Sequence, residues 1–111
     1  MKSEGRTNHK LAQLCAEVSE VAMLALGSSR DSRLQQLMVH SVKASKDGST
    51  LVVHVVPTAI ASFAELEQLM AALDHARPWL RQQVASDINR KRTPEIAFQI
   101  VLNPELADDV R

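Results

Sequence analysis

Two runs of strand-type residues separated by an Asp-Gly pair constrain this chain more than any other feature. Leu37-Met38-Val39-His40-Ser41-Val42-Lys43 mixes β-branched and polar positions, and Thr50-Leu51-Val52-Val53-His54-Val55-Val56 is almost pure strand chemistry. Between them, Lys46-Asp47-Gly48-Ser49 supplies the Asp-Gly pair of a type I′ turn, so the segment predicts a β-hairpin. Pro57 cannot donate to a ladder and closes the second strand. With Lys46 opposite Ser49, His40 should face Val55 and His54 should face Ser41, which puts the two rings on opposite faces of the sheet. A lone hairpin is marginal in water. The flanking sequence must therefore cover one face.

The cover is helical. Leu11, Leu14, Cys15, Val18, Val21, Ala22 and Ala25 form one continuous helical stripe, preceded by candidate caps at Thr7-Asn8 and followed by Gly27 where a left-handed C-terminal cap is wanted. After the hairpin, Ser62-Phe63-Ala64-Glu65 matches a capping box, and Phe63, Leu66, Leu69, Met70 and Leu73 predict the buried face of a second helix. Pro78 interrupts that pattern and suits the first turn of a third helix, which carries Leu80, Val84 and Ile88, with Arg90-Lys91-Arg92 in its last turn. Thr93-Pro94 stops it. Ile96, Phe98, Ile100 and Leu102 alternate as a final strand, and Asn103-Pro104 opens an acidic tail. The predicted order is α-β-β-α-α-β: one α+β domain over residues 9–102, with a flexible stretch at 1–8 and the tail at 103–111.

Composition narrows the function classes. The chain has 111 residues, enough for one domain with a core, and its single cysteine, Cys15, excludes an internal disulfide framework. Cys15 lies inside the apolar stripe and reads as a small hydrophobe. No apolar run is long enough to span a bilayer, and the polar N-terminus does not read as a secretory core, so the expected address is the cytoplasm. Neither a nucleophile elbow nor a glycine-rich phosphate loop is present, and the histidines lack a third ligand. No enzyme activity, metal, cofactor, membrane or small-molecule substrate is expected.

Thirteen basic and thirteen acidic residues cancel, yet the charge is segregated. Residues 74–94 sum to +3, residues 28–58 to +2, and the stretch from Glu95 onward to −3. Arg77 and Arg81 lie four apart on one helical face, and a third helix starting at Pro78 would add its partial positive charge beside them. Arginine forks suit phosphate oxygens. The plainer reading is that Arg77 and Arg81 pair with Asp74 or Glu65, and that Arg90, Lys91 and Arg92 complement a helix C-terminus. Trp79 could stack on a base, but a lone Trp beside the core-facing Leu80 reads more readily as packing, and so few aromatics do not make a stacking platform.

The element order is that of a type II KH domain, which ordinarily grips single strands with a GXXG loop between two helices. All three glycines, Gly5, Gly27 and Gly48, lie upstream of the junction, so that loop cannot exist here. The junction Leu73-Asp74-His75-Ala76-Arg77-Pro78-Trp79-Leu80-Arg81, continued by Arg92-Thr93-Pro94-Glu95-Ile96-Ala97-Phe98, resembles the ribosome-binding factor A family. In that family Ala-x-Gly at a kinked helix pair replaces GXXG. The resemblance spans roughly residues 9–102, with two departures. Pro78 stands where the family usually has Gly, and the first helix has only Arg6 and Lys10 where the family has an arginine-rich start.

The resemblance implies a KH-like fold with a three-stranded sheet packed against helices. It also implies a non-catalytic, monomeric cytoplasmic factor that binds the small ribosomal subunit and its rRNA and assists late maturation. The residues expected to meet RNA are Ala76, Arg77, Pro78, Arg81, Arg90, Lys91 and Arg92, with Lys43 and Lys46 near the hairpin. The alternative is a KH-like protein-interaction module without direct RNA binding.

Overall fold

A helix α1 spans Lys2–Gly27. It starts ahead of the cap expected at Thr7-Asn8, because nothing in Lys2–Arg6 breaks a helix except Gly5, whose cost of about 1 kcal/mol is tolerable near an end. Its buried stripe is Leu14, Val18, Ala22 and Ala25, joined by Leu26, with Leu11, Cys15 and Val21 partly buried. Gly27 does not adopt the left-handed conformation expected of it; among the described residues only Gly48 has positive φ. The helix instead runs through Gly27. Ser28 N–H donates to Leu24 C=O at 3.0 Å and Ser29 N–H to Leu26 C=O at 3.3 Å, a tightened last turn. These features belong to a computed structural model that describes residues 2–60, 62–88 and 94–102, with side chains placed from Lys10 onward.

A 3-10 turn at Leu34–Gln36 buries Leu34 and leads into β1, Leu37–Ala44, which pairs antiparallel with β2, Thr50–Pro57. The connecting turn is not type I′, since Asp47 lacks the positive φ that type requires. A longer loop replaces it. Gly48, at φ 75°, donates its N–H to Ser45 C=O at 3.0 Å, and Ser45 N–H reaches Thr50 C=O at 2.8 Å. The Asp47 carboxylate organises this loop by accepting from Ser49 N–H (3.0 Å), Ser49 Oγ (2.8 Å) and Ser45 Oγ (2.9 Å).

The strand register holds as expected near the turn, with Ser41 opposite His54, and then slips between Val39 and Ser41. Val39, not His40, therefore faces Val55. The inward positions of β1 are Leu37, Val39, Val42 and Ala44, a 2-3-2 spacing that a straight strand cannot place on one face. A bulge at His40 absorbs the extra residue. It also removes the alternation that set His40 and His54 on opposite faces. His54 Nδ1 lies 3.4 Å from Ser41 Oγ on the face away from the helices.

The second and third helices expected from the sequence are one helix. Helix α2 runs from Phe63 to Asp87 with Pro78 inside it. Ser62 caps it as expected, its Oγ accepting from Glu65 N–H at 3.1 Å. Pro78 removes one backbone bond, to Asp74 C=O, but does not end the helix. The reason lies in the phase of the apolar residues. Leu69, Ala72 and Leu73 before the proline and Leu80 and Val84 after it share one buried stripe, so a straight continuation satisfies both halves. Each such Leu or Val contributes about 1.5–3 kcal/mol relative to exposure, which outweighs the proline's cost of about 3 kcal/mol. Phe63 and Met70, expected in the buried face, are instead 73% and 49% exposed.

Helix α2 ends at Asp87, and Ile88 is already extended. Arg90, Lys91 and Arg92, expected in a helical last turn, lie outside the described residues, as does the acidic tail. Strand β3, Glu95–Ile100, then pairs parallel with β2, giving the sheet order β1-β2-β3. Ile96 and Phe98 are buried against the helices, whereas Leu102 lies past the strand and is 62% exposed. Both helices cover one face of the three-stranded sheet, with Leu51, Val53 and Val55 fully buried between the layers. The result is KH-like α+β architecture.

Candidate nucleic-acid interface

Helix α2 has two flanks, one on either side of its buried stripe. Met70, Asp74, Arg77 and Arg81 form one, and Ala72, His75 and Trp79 form the other.

The first flank lies along the outer edge of β3. Parallel pairing turns the odd-numbered backbone groups of β3 toward β2, as in Glu95 N–H to Ser49 C=O and Val101 N–H to Val55 C=O. The even-numbered groups therefore face outward. Arg77 takes up one of them, donating from Nη1 to Phe98 C=O, while its Nε donates to Asp74 Oδ1 at 2.8 Å. Arg77 is one-third exposed and its partner Asp74 is 69% exposed. Arg77 thus ties α2 to the open sheet edge. The pair with Asp74 that the sequence offered is present. Arg81, one turn on, is exposed and lines a shallow recess of about 60 Å³ with Arg77, Ile96, Ala97 and Phe98.

The other expected RNA contacts are spread out. Pro78 is exposed on α2, and Ala76 is half-buried against the core. With α2 uninterrupted, no helix N-terminus opens at Pro78, so the partial positive charge expected beside Arg77 and Arg81 is absent. Lys43 is exposed on β1 and, paired with Val52, belongs to the sheet face away from the helices. Lys46 is exposed in the turn, near the start of β3 through the Glu95–Ser49 bond. The Ser49 N–H and the Ser49 and Ser45 hydroxyls lower the pKa of the neighbouring Asp47 to about 2, so Lys46 always has an anionic neighbour at neutral pH.

The second flank borders a groove the sequence does not announce. Ser28, Ser29, Arg30, Asp31 and Leu34, after α1, face Ala72, His75, Ala76 and Trp79 of α2 across a cavity of about 580 Å³. Its rim is fastened by hydrogen bonds. Ser29 Oγ accepts from Asp31 N–H at 3.1 Å, and Gln35 Nε2 donates to Ser29 C=O at 2.7 Å. Both Asp31 oxygens are occupied by Arg33, from N–H (2.9 Å), Nε (3.0 Å) and Nη2 (2.9 Å). The Arg33 side-chain and backbone hydrogen bonds hold the Asp31 carboxyl below the ordinary carboxylate range. A Trp three residues after Ala76 marks one wall of this groove in the sequence, but nothing local says that Arg30 stands opposite it.

Similar proteins share this fold. The family model for ribosome-binding factor A matches residues 6–108. Ribosome-binding factor A of Chromohalobacter salexigens is 31% identical over 98 residues, covering 88% of this chain and 72% of that protein. Among solved structures, the crystal structure of ribosome-binding factor A from Thermus thermophilus superposes with a TM-score of 0.64 at 29% identity, covering 80% of this chain and 93% of that one. The Thermus thermophilus factor as fitted into a cryo-EM map of a 30S complex gives a TM-score of 0.55 at 30% identity, over 83% of this chain and 91% of that one. Family match, sequence identity and fold thus converge, and the chain belongs to the ribosome-binding factor A family.

Proposed function

We propose that this protein binds the small ribosomal subunit through its rRNA and assists late maturation of that subunit as a non-catalytic cytoplasmic factor. The observation that carries this reading is its likeness, at 30% identity and over 91% of that chain, to a relative fitted into a 30S complex. Among the described residues no helix is long and apolar enough to cross a membrane, which fits a factor that meets ribosomal particles in the cytoplasm.

Arg81 is the phosphate contact that the geometry favours, because its guanidinium is exposed while that of Arg77 is engaged with Asp74 and Phe98. Lys43 and Lys46 are exposed cations on the hairpin, and the sequence before β3 carries the further basic residues Arg90, Lys91 and Arg92. With about three to five phosphate contacts, the log–log salt slope of binding should fall near −2 to −5.

Co-sedimentation with small subunits from a maturation-stalled strain, at low and high salt, tests this. The expected result is salt-sensitive pelleting, weakened by Arg81→Glu with the fold intact. Failure to pellet at low salt overturns the proposal. Binding that ignores salt and survives nuclease favours the protein-interaction reading, for which the zero net charge is the supporting observation.

A further inference from the structure

We infer that the groove between the α1 exit and α2 receives one unpaired RNA nucleotide, its base against Trp79 and its phosphate at Arg30. This inference deepens the RNA-directed reading and rests on it.

Three features of the groove carry the assignment. The Trp79 indole is 38% exposed, much for a residue beside the fully buried Leu80, and small Ala72 and Ala76 next to it leave room for a flat ring. The cavity of about 580 Å³ lies within the few-hundred to ~1,000 Å³ span of small-molecule sites, a volume that can hold one nucleotide. The charge is the third feature. Asp31 is neutralised by three hydrogen bonds from Arg33, and Arg30 has no ion pair among the described residues, so the net field of the rim is that of a single free guanidinium. A planar aromatic face beside one arginine matches a base and its phosphate. A protein occupant would have to bring both a flat apolar group and a carboxylate to the same two places.

The fastened rim makes the groove ready before binding. Ser29, Asp31, Arg33 and Gln35 hold one another, so little ordering cost falls on the ligand. His75 adds a ring on the same wall, able to donate to a base edge or sugar.

Trp79 is the chain's only tryptophan, so its emission reports this groove alone. The full-length protein is titrated with a single-stranded adenine ribo-octamer and with the same octamer in a duplex, following Trp79 emission and the anisotropy of labelled RNA. The expected result is saturable quenching by the single strand and not by the duplex. Trp79→Leu should weaken octamer binding and subunit binding about 5- to 100-fold, the span of one base stack. Trp79→Phe should stay within a few-fold of wild type. Arg30→Gln should weaken binding several-fold and reduce the salt slope by about one.

Octamer binding with unchanged Trp79 emission overturns the inference, as does wild-type subunit affinity in both Trp79→Leu and Arg30→Gln. Emission that responds to subunits but to no oligonucleotide assigns the groove to a ribosomal protein and overturns it too. The parent reading fails separately, by loss of all subunit binding at low salt in the unmutated chain.

Discussion

The two flanks of α2 use the same kinds of side chain to opposite ends. On the β3 side, a carboxylate and an arginine, Asp74 and Arg77, are three residues apart and spend their hydrogen bonds closing a sheet edge. On the other side, Asp31 and Arg33 are two apart and spend theirs on each other, which leaves the neighbouring Arg30 and the Trp79 face open to solvent. Cationic residues near a recognition motif are thus not equivalent binders. An arginine with an exposed backbone carbonyl in reach is drawn into the fold, because an unpaired strand edge is the stronger local demand. The cations with no such demand beside them are Arg81 on one flank and Arg30 on the other, and these are the ones the proposed RNA contact would use.

The largest expected effect comes from the residue that both flanks share. Pro78 lies inside an unbroken helix, so Pro78→Ala should restore the bond to Asp74 C=O and relieve the ring's clash with it. The cost of an interior proline is about 3 kcal/mol, and the proline's restriction of the unfolded chain returns about 0.4–1 kcal/mol. Pro78→Ala should therefore stabilise the protein by about 2 kcal/mol, read as a raised midpoint in urea unfolding. A lowered midpoint would mean that the junction needs a breaker after all, and the contrast between flanks would then concern two helices and not one.

A smaller effect separates the two arginines of the β3 flank. Arg77→Met keeps the aliphatic stem but leaves Phe98 C=O without its donor. It should cost about 1 kcal/mol, the usual net worth of a hydrogen bond reduced little by partial exposure. Arg81→Met, one turn away and exposed, should stay within about 0.5 kcal/mol. Amide exchange along β3 should quicken in the first variant and not in the second. Equal costs would erase the distinction drawn between a positioning arginine and a free one.

How much of this was legible in the chain varies with the range of the interaction. The first helix, the hairpin, the Ser62 cap and the final strand follow from local periodicity and capping chemistry, and they stand where the sequence puts them to within a few residues, save the N-terminal start of α1. Pro78 misleads because its local rule is strong; only the common phase of Leu73, Leu80 and Val84, a long-range packing fact, shows that the helix continues. The bulge at His40 was readable in principle from the 2-3-2 spacing of Leu37, Val39, Val42 and Ala44, had it been known which face was inward. Arg77 is the clearest limit. Its i,i+3 partner Asp74 is visible in the sequence, but the carbonyl of Phe98 lies 21 residues away and depends on which β3 edge is left open. The Arg30–Trp79 groove is less legible still, since it joins the exit of one helix to the middle of another.

The smallest effect is an acid transition that should reach the groove and, separately, the hairpin turn. Asp31 is held below its ordinary value by Arg33, and Asp47 is held near 2 by Ser49 and Ser45. In both cases the folded carboxyl binds protons less readily than the unfolded one, whose value is about 3.9. The stabilisation is therefore complete above that value and is lost as pH falls through each folded pKa. As pH falls below about 4 the Arg33 amide should shift in NMR spectra and Trp79 emission should change as the rim loosens, and the Ser49 amide should shift separately as pH approaches about 2. Asp31→Asn should bring the Trp79 change to neutral pH and leave the Ser49 amide untouched, whereas Asp47→Asn should do the reverse. If Asp31→Asn leaves both Trp79 emission and the Arg33 amide unchanged, the rim does not depend on this carboxylate, and the groove is not an independently fastened site.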